Sequence, residues 1–254
     1  MGRLKATSGV EQVTLTTNGV TLGTHLPALL DAGLDAVNVS LDTLRPQTFE
    51  RITGFDCHDR VMRGIHDAVA AGLPVKVNVV LQRGLNLDEW PQLVDLSRRL
   101  PLDVRFIEAM PIGPGRDLNV VSNEWLLGEL RRLHPGLAVD GAPHGNGPAT
   151  YVRIPGYQGS TGFISAIHGR FCDQCNRMRL TSKGELKPCL CFADGVDVRH
   201  VFEEYPGAGV DVVALRRVLL VETIRSAIAH KPRQHCFEHL SEITETRVMS
   251  SIGG

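Results

Sequence analysis

The sequence predicts an α/β fold in its first half and a smaller α+β region after it, and three observations lead there. Short β-branched runs recur between Val10 and Met110, helix-period segments separate them, and beyond residue 150 the alternation stops. Strand, helix and strand in repetition require parallel strands with helices laid over them, as in an open sheet or a barrel. The expected domains are 1–139 for the β/α part and 150–254 for the C-terminal part. Between them "DGAPHGNGPAT", Asp140 to Thr150, reads as a linker or long loop, because Gly and Pro break every periodic pattern there.

The elements follow in order. The strands are "VTLTT", "AVNVSL", "VKVNVVL" and "DVRFIEAM", each too continuously apolar to leave one face wet. Leu26, Leu29 and Leu30 share a helical face closed by Gly33, and Val61, Ile65, Ala68 and Val69 share another closed by Gly72. Asn86 and Glu89 have the spacing of a capping box ahead of a third helix, which carries Trp90, Leu93, Leu96 and Leu100. Leu126, Leu130 and Leu133 mark a fourth. Further on, "YVRIPGYQGSTGFISAI" reads as short strands and "RLTSKGELKPCL" as a hairpin turning at Lys183 and Gly184. Leu215, Val218, Val221, Ile224 and Ile228 read as a late amphipathic helix.

Composition narrows the function. With 254 residues, 43% of them hydrophobic and 22% charged, the chain can bury a substantial core and is not a disordered polyelectrolyte. No apolar run approaches the roughly 20 residues of a membrane helix, and "MGRLKATSGV" lacks the apolar segment of a secretory signal. A cytoplasmic protein away from membranes is expected. A net charge of −1 creates no global field for nucleic acid, so an anionic ligand must be met by local cations.

The cysteines are crowded. Cys172, Cys175, Cys189 and Cys191 fall within twenty positions, while Cys57 and Cys236 stand apart. In a reducing compartment such crowding reads as metal ligation rather than as a disulfide framework. Cys172, Cys175 and Cys189 form C-x2-C-x13-C, with the third thiol brought back by the hairpin. Three thiolates suit three corners of an iron-sulfur cube, whereas Cys191 as a fourth ligand would make a structural zinc site, and the spacing leaves both open. Arg177 and Arg179 flank Met178, so on a strand both guanidinium groups project from one face, a pairing suited to a polyphosphate. The plainer reading of the two arginines is a solvated strand face. Lys76, inside an apolar run, must face a wet cavity or an anion; Arg105 invites the same argument, with Glu108 as a purely structural partner.

The segments "TLTTNG", "VNVSLD", "VKVNVVLQRGLN", "VRFIEAMP", "FCDQCNRMRLTSKGELKPCL" and the terminal "IGG" together resemble the GTP 3′,8-cyclases of molybdenum-cofactor biosynthesis, which are radical S-adenosylmethionine (SAM) enzymes. The resemblance spans nearly the whole chain. It implies an incomplete parallel β/α barrel with a C-terminal α+β region that binds a 4Fe–4S cluster through Cys172, Cys175 and Cys189. It also implies GTP contacts at Thr16, Lys76, Arg105, Arg177, Met178 and Arg179, SAM contacts at Ser40 and Met110, and a tail, Gly253 and Gly254, inside the active site. Without the resemblance, Thr16 is a strand end, Ser40 a cap, Met110 core and the tail frayed.

One family motif is absent from these residues: no C-x3-C-x2-C, which holds the first cluster and SAM in radical SAM enzymes, occurs. The chain is therefore expected to be an N-terminal truncation that starts at the third barrel strand and lacks the first two. It is expected to bind neither SAM nor the first cluster, and to be inactive alone. Its open edge at "VTLTT" should draw a second copy or a partner that completes the barrel. In a eukaryote the location would be the mitochondrial matrix. The competing reading is a catalytically silent module whose zinc or iron-sulfur site is structural and whose sheet edge recruits a partner.

Overall fold

The computed structural model describes residues 1–169, 171–207 and 209–252, and divides into two compact units, Met1–Glu108 with Asn119–Ser165 and Ala109–Leu118 with Ala166–Gly254. The first unit contains α1 (Gly2–Lys5), β1 (Thr14–Thr17), α2 (Leu22–Asp31), β2 (Ala36–Ser40), α3 (Pro46–Thr53), α4 (His58–Ala70), β3 (Val75–Val79), α5 (Trp90–Arg99), β4 (Asp103–Ile107), α6 (Asn123–Leu133), β5 (Ala138–Val139), β6 (Thr150–Arg153) and β7 (Thr161–Ile164). Its strands form one sheet of order β1-β2-β3-β4-β7-β6-β5; β1 to β4 and β7 pair in parallel, and the β7–β6 and β6–β5 pairings are antiparallel. This is a mixed α/β fold with a mostly parallel sheet. Gly33 and Gly72 follow α2 and α4 with φ of 81° and 74°, as the sequence led us to expect.

Val37, Val39, Val75, Val77, Val104 and Phe106 are buried on one face of the sheet, in a core shared with Leu26 of α2, Ile65 of α4, Leu93 of α5 and Leu126 of α6. The opposite face is polar. Burial alternates along β3, with Lys76 and Asn78 half-buried between fully buried valines. The expectation that neither strand face is wet is thereby corrected: the runs are apolar only at every second position once they are read in register. The edge strand β1 is also less apolar than expected, with Leu15 as its one large apolar residue, itself half-buried.

Asn86 and Glu89 mark the approach to α5, but they form no capping box. The Asn86 amide donates to the carbonyls of Asp42 and Val80 at 2.6 and 2.9 Å, and the Glu89 carboxylate accepts from Thr43 Oγ1 and the Leu44 amide at 2.6 and 2.8 Å. Both side chains tie together the loops after β2 and β3. In the same corner Asp42 accepts the Val80 amide at 2.7 Å, and burial pushes its carboxyl up to about 6. A raised acid favours folding most when protonated, so the wild-type chain should lose stability as pH rises from about 4 through 6. Asp42→Asn keeps an acceptor for Val80. It should be more stable than wild type at pH 7.5 by about 1–3 kcal/mol, with no advantage below pH 4, as read by urea unfolding across that range.

The Asp140–Thr150 segment is a pinned loop. His144 lies 2.7 Å from Asp103 Oδ2 and 3.1 Å from Asp140 Oδ2, and its ring stacks on Tyr151 at 3.8 Å.

The second unit contains β8 (Arg179–Leu180), β9 (Glu185–Lys187), β10 (Val196–Asp197), α7 (His200–Glu204) and α8 (Val210–Ala229), with β9 central in an antiparallel sheet. Gly184 turns the β8–β9 hairpin at φ 77°, a left-handed conformation that favours glycine, and a Cβ there would also displace the exposed Arg199 side chain. The predicted helix α8 forms, but it is not amphipathic, since apolar residues lie nearly all round it. Its expected apolar stripe, however, is exposed at Leu215, Val218, Val221, Ile224 and Ile228, and Ala227 is its buried residue. Among the described residues no helix is long and apolar enough to cross a membrane.

Candidate functional site

The first unit carries a polar row across its open sheet face. Thr16 on β1 accepts from Asn38 Nδ2 on β2 at 3.1 Å, and Arg105 on β4 donates to Asn38 Oδ1 at 2.8 Å and to Asn78 Oδ1 on β3 at 2.9 Å. The register that pairs Thr16 with Asn38, Asn38 with Lys76, and Asn78 with Arg105 places these side chains on the same face. Burial lowers the Lys76 pKa, and the Arg105 charge lowers it further against the opposing effect of Asp103. Gly162 makes room beside them, since a Cβ there would meet the Tyr151 ring at 2.7 Å and Arg105 Cγ at 3.0 Å. Ser40 is exposed at the carboxyl end of β2. Sequence reading singled out Thr16, Lys76 and Arg105 but passed over Asn38, Asn78 and Tyr151. The signal lay in plain view, a polar residue at alternate positions in "VNVS" and "VKVNV".

The second unit gathers the cysteines. Cys172 and Cys175 bracket a single 3-10 turn, Cys172–Gln174, and Cys189 follows β9, so the hairpin returns it to the same place. All three line one cavity enclosing about 520 Å³ including its mouth, together with Met110, Arg179, Lys231 and His235. Each sulfur accepts a hydrogen bond from a described residue. The His235 amide donates to Cys172 Sγ at 3.4 Å, Lys231 Nζ to Cys175 Sγ at 3.4 Å, and the Cys191 amide to Cys189 Sγ at 3.5 Å. Burial pushes the Cys189 thiol up, and it lowers the Arg179 pKa while Cys175 and Cys189 oppose that fall. Arg177 and Met178 are half-buried just before β8, outside the strand.

Cys191 sits elsewhere. It is fully buried in an apolar cluster with Cys236, Leu190, Phe237 and Ile252, and its sulfur accepts the Cys236 amide at 3.1 Å. Burial first, then Cys236, push this thiol up to about 12. Among the described residues no three His, Cys, Asp or Glu groups converge on a single-ion site. Gly253 and Gly254 lie outside the described residues.

Comparison with known proteins defines the class. Residues 2–97 match the Radical SAM superfamily and residues 102–237 match Molybdenum Cofactor Synthesis C. The GTP 3′,8-cyclase of Clostridium perfringens (strain SM101 / Type A) is 36% identical over 245 residues, covering 96% of this chain and 73% of that protein. The GTP 3′,8-cyclase of Heliobacterium modesticaldum is 40% identical over 264 residues, covering 100% of this chain and 76% of the relative. The molybdenum cofactor biosynthesis protein 1 of Mus musculus is 42% identical over 240 residues, covering 92% of this chain and 36% of the mouse protein. The chain belongs to the GTP 3′,8-cyclase family of radical SAM enzymes.

Proposed function

We propose that the chain serves the reaction of its family, the radical SAM conversion of GTP into the cyclic pyranopterin precursor of the molybdenum cofactor, with its β/α sheet as part of an incomplete barrel. Cys172, Cys175 and Cys189 would hold a 4Fe–4S cluster. One observation carries this reading: three cysteines line one cavity, and each sulfur accepts an N–H donor from a different residue. Hydrogen-bond donors suit sulfur as thiolate, and three thiolates leave one iron without a protein ligand. A cluster bound there supplies a Lewis-acidic iron to which the purine can bind. The donor set fits a cube better than a single zinc, which needs every sulfur about 2.3 Å from one point. Cys191, the fourth thiolate of the zinc reading, is engaged with Cys236 in the core.

The cations supply the substrate's other requirement. Arg177 and Arg179 in the second unit, with Met178 between them, and Lys76 and Arg105 with Thr16 in the first, are the groups we assign to GTP, whose phosphates need positive partners. Ser40 and Met110 are assigned to SAM, and Gly253 and Gly254 to the substrate side of the tail.

Anaerobically purified protein should be brown, with iron and sulfide near four each per chain if the C-terminal cluster is loaded. Titrated GTP should perturb the cluster's electron paramagnetic resonance (EPR) spectrum, and Arg179→Ala should weaken that response by about 10- to 100-fold in Kd, the scale of one charge-assisted contact. Colourless protein with one zinc per chain, or a spectrum indifferent to GTP, overturns the reading.

A further inference from the structure

We infer that Lys231 is a cationic donor to the cysteine cavity, a positioning residue that raises the reduction potential of the cluster bound there and keys the cysteine turn to the arginine segment. The inference rests on the cluster assignment above. Of the sulfur contacts described above, those from His235 and Cys191 come from backbone amides and carry no net charge. The third is an ammonium. Lys231 Nζ lies 3.4 Å from Cys175 Sγ and 2.6 Å from the carbonyl oxygen of Arg177, so one group bridges a candidate ligand and the residue two places after it.

Local structure places this lysine firmly. α8 ends at Ala229, the Lys231 amide donates to the Ile228 carbonyl at 3.1 Å, and Pro232 prevents the helix from continuing. The lysine thus sits two residues beyond a 20-residue helix, with its backbone still hydrogen-bonded to the last turn. Its bond to the Arg177 carbonyl holds the chain that runs from Cys175 towards Arg179, and both of those residues line the same cavity.

The electrostatic consequence has a definite sign. A reduced cluster carries one more negative charge than an oxidised one, and a fixed cation beside a ligating sulfur favours the more negative state. Removing the cation must lower the potential. A lysine that only fills space would have no such effect, which separates a redox role from a structural one.

The test uses the protein purified anaerobically, with Lys231→Met, Lys231→Gln and Lys231→Arg beside wild type. Iron and sulfide are counted first, and the midpoint is then read by EPR-monitored redox titration. In Lys231→Gln, which keeps N–H donors and loses the charge, the reduced-to-oxidised ratio at fixed potential should fall at least tenfold, about 59 mV for a one-electron couple. Lys231→Arg should recover most of that shift. A fully loaded Lys231→Gln protein with the wild-type midpoint overturns the inference. Should Lys231→Met lose its iron, Lys231→Gln decides the matter by the same criterion. Wild-type protein without iron overturns the cluster assignment itself and the inference with it.

Discussion

Cys189→Ala should strip the protein of its iron, while Cys191→Ala, two residues away, should leave the iron in place. The two thiols sit in different surroundings although the sequence puts them side by side. Cys189 lines the cavity with Cys172, Cys175 and Arg179, whereas Cys191 is fully buried against Cys236 and Ile252. Removing Cys189 leaves two thiolates for a cube that needs three from this chain. Iron content should fall by at least about tenfold, since even outer-shell changes at metal sites act on a 10- to 100-fold scale. Removing Cys191 opens a small void and deprives the Cys236 amide of its acceptor, a stability cost of about 1–3 kcal/mol with iron retained. Iron analysis with thermal denaturation of each variant reads both effects. Loss of iron from Cys191→Ala with retention in Cys189→Ala would reverse the ligand assignment.

Glu245→Ala should be the most destabilising single change in the second unit. Lys187 and Glu245 are 0% and 1% exposed, and their side chains meet at 2.7 Å. Lys187 also donates to the carbonyls of Phe192 and Ala193, while Glu245 accepts from Arg247 Nε at 3.0 Å and from the amides of Thr246 and Arg247 at 3.0 and 2.9 Å. The pair ties the β9 strand, which precedes Cys189, to the C-terminal segment. Removing the carboxylate leaves a buried ammonium facing two carbonyls, a loss of about 3–5 kcal/mol. Adding Lys187→Met should restore part of it, because the uncompensated charge goes too. The same group predicts an acid limit. Burial alone would raise the Glu245 pKa, but the bonds from Arg247 and Lys187 hold it down to about 2. A lowered acid stabilises the fold above its unfolded pKa, so this contribution should be complete above pH 4.5 and drain away as pH falls toward 2, by about 3 kcal/mol in total. Urea unfolding at pH 7 and pH 3, with Glu245→Ala losing the pH dependence, checks both statements.

The residues that sequence reasoning read well and badly differ in a consistent way. Lys76 was legible because an ammonium in an apolar strand has so few tolerable surroundings, and it sits on the polar sheet face beside Arg105. Asn86 and Glu89 were legible only as a boundary: their spacing fits a cap, yet the tertiary fold offered Asp42, Val80, Thr43 and Leu44 as better partners. The α8 stripe was the wrong face: apolar residues lie nearly all round this helix, and the side turned inward carries Val212, Leu219, Leu220 and Ala227 rather than the predicted residues, so the pattern alone could not choose between faces. Lys231 carried no local signal at all; its role depends on a contact across 56 positions.

By itself the sequence determined the α/β alternation, the helix ends at Gly33 and Gly72, the hairpin at Gly184 and the family, because propensity, period and motif spacing act over a few residues or survive as pattern. The tertiary structure alone decided that β7, β6 and β5 extend the sheet beyond β4, that the sheet has one polar face, and that Cys189 lines the cavity while Cys191 enters the core. Those outcomes depend on which distant groups compete for the same hydrogen bonds and the same buried volume, and only the folded chain resolves that competition.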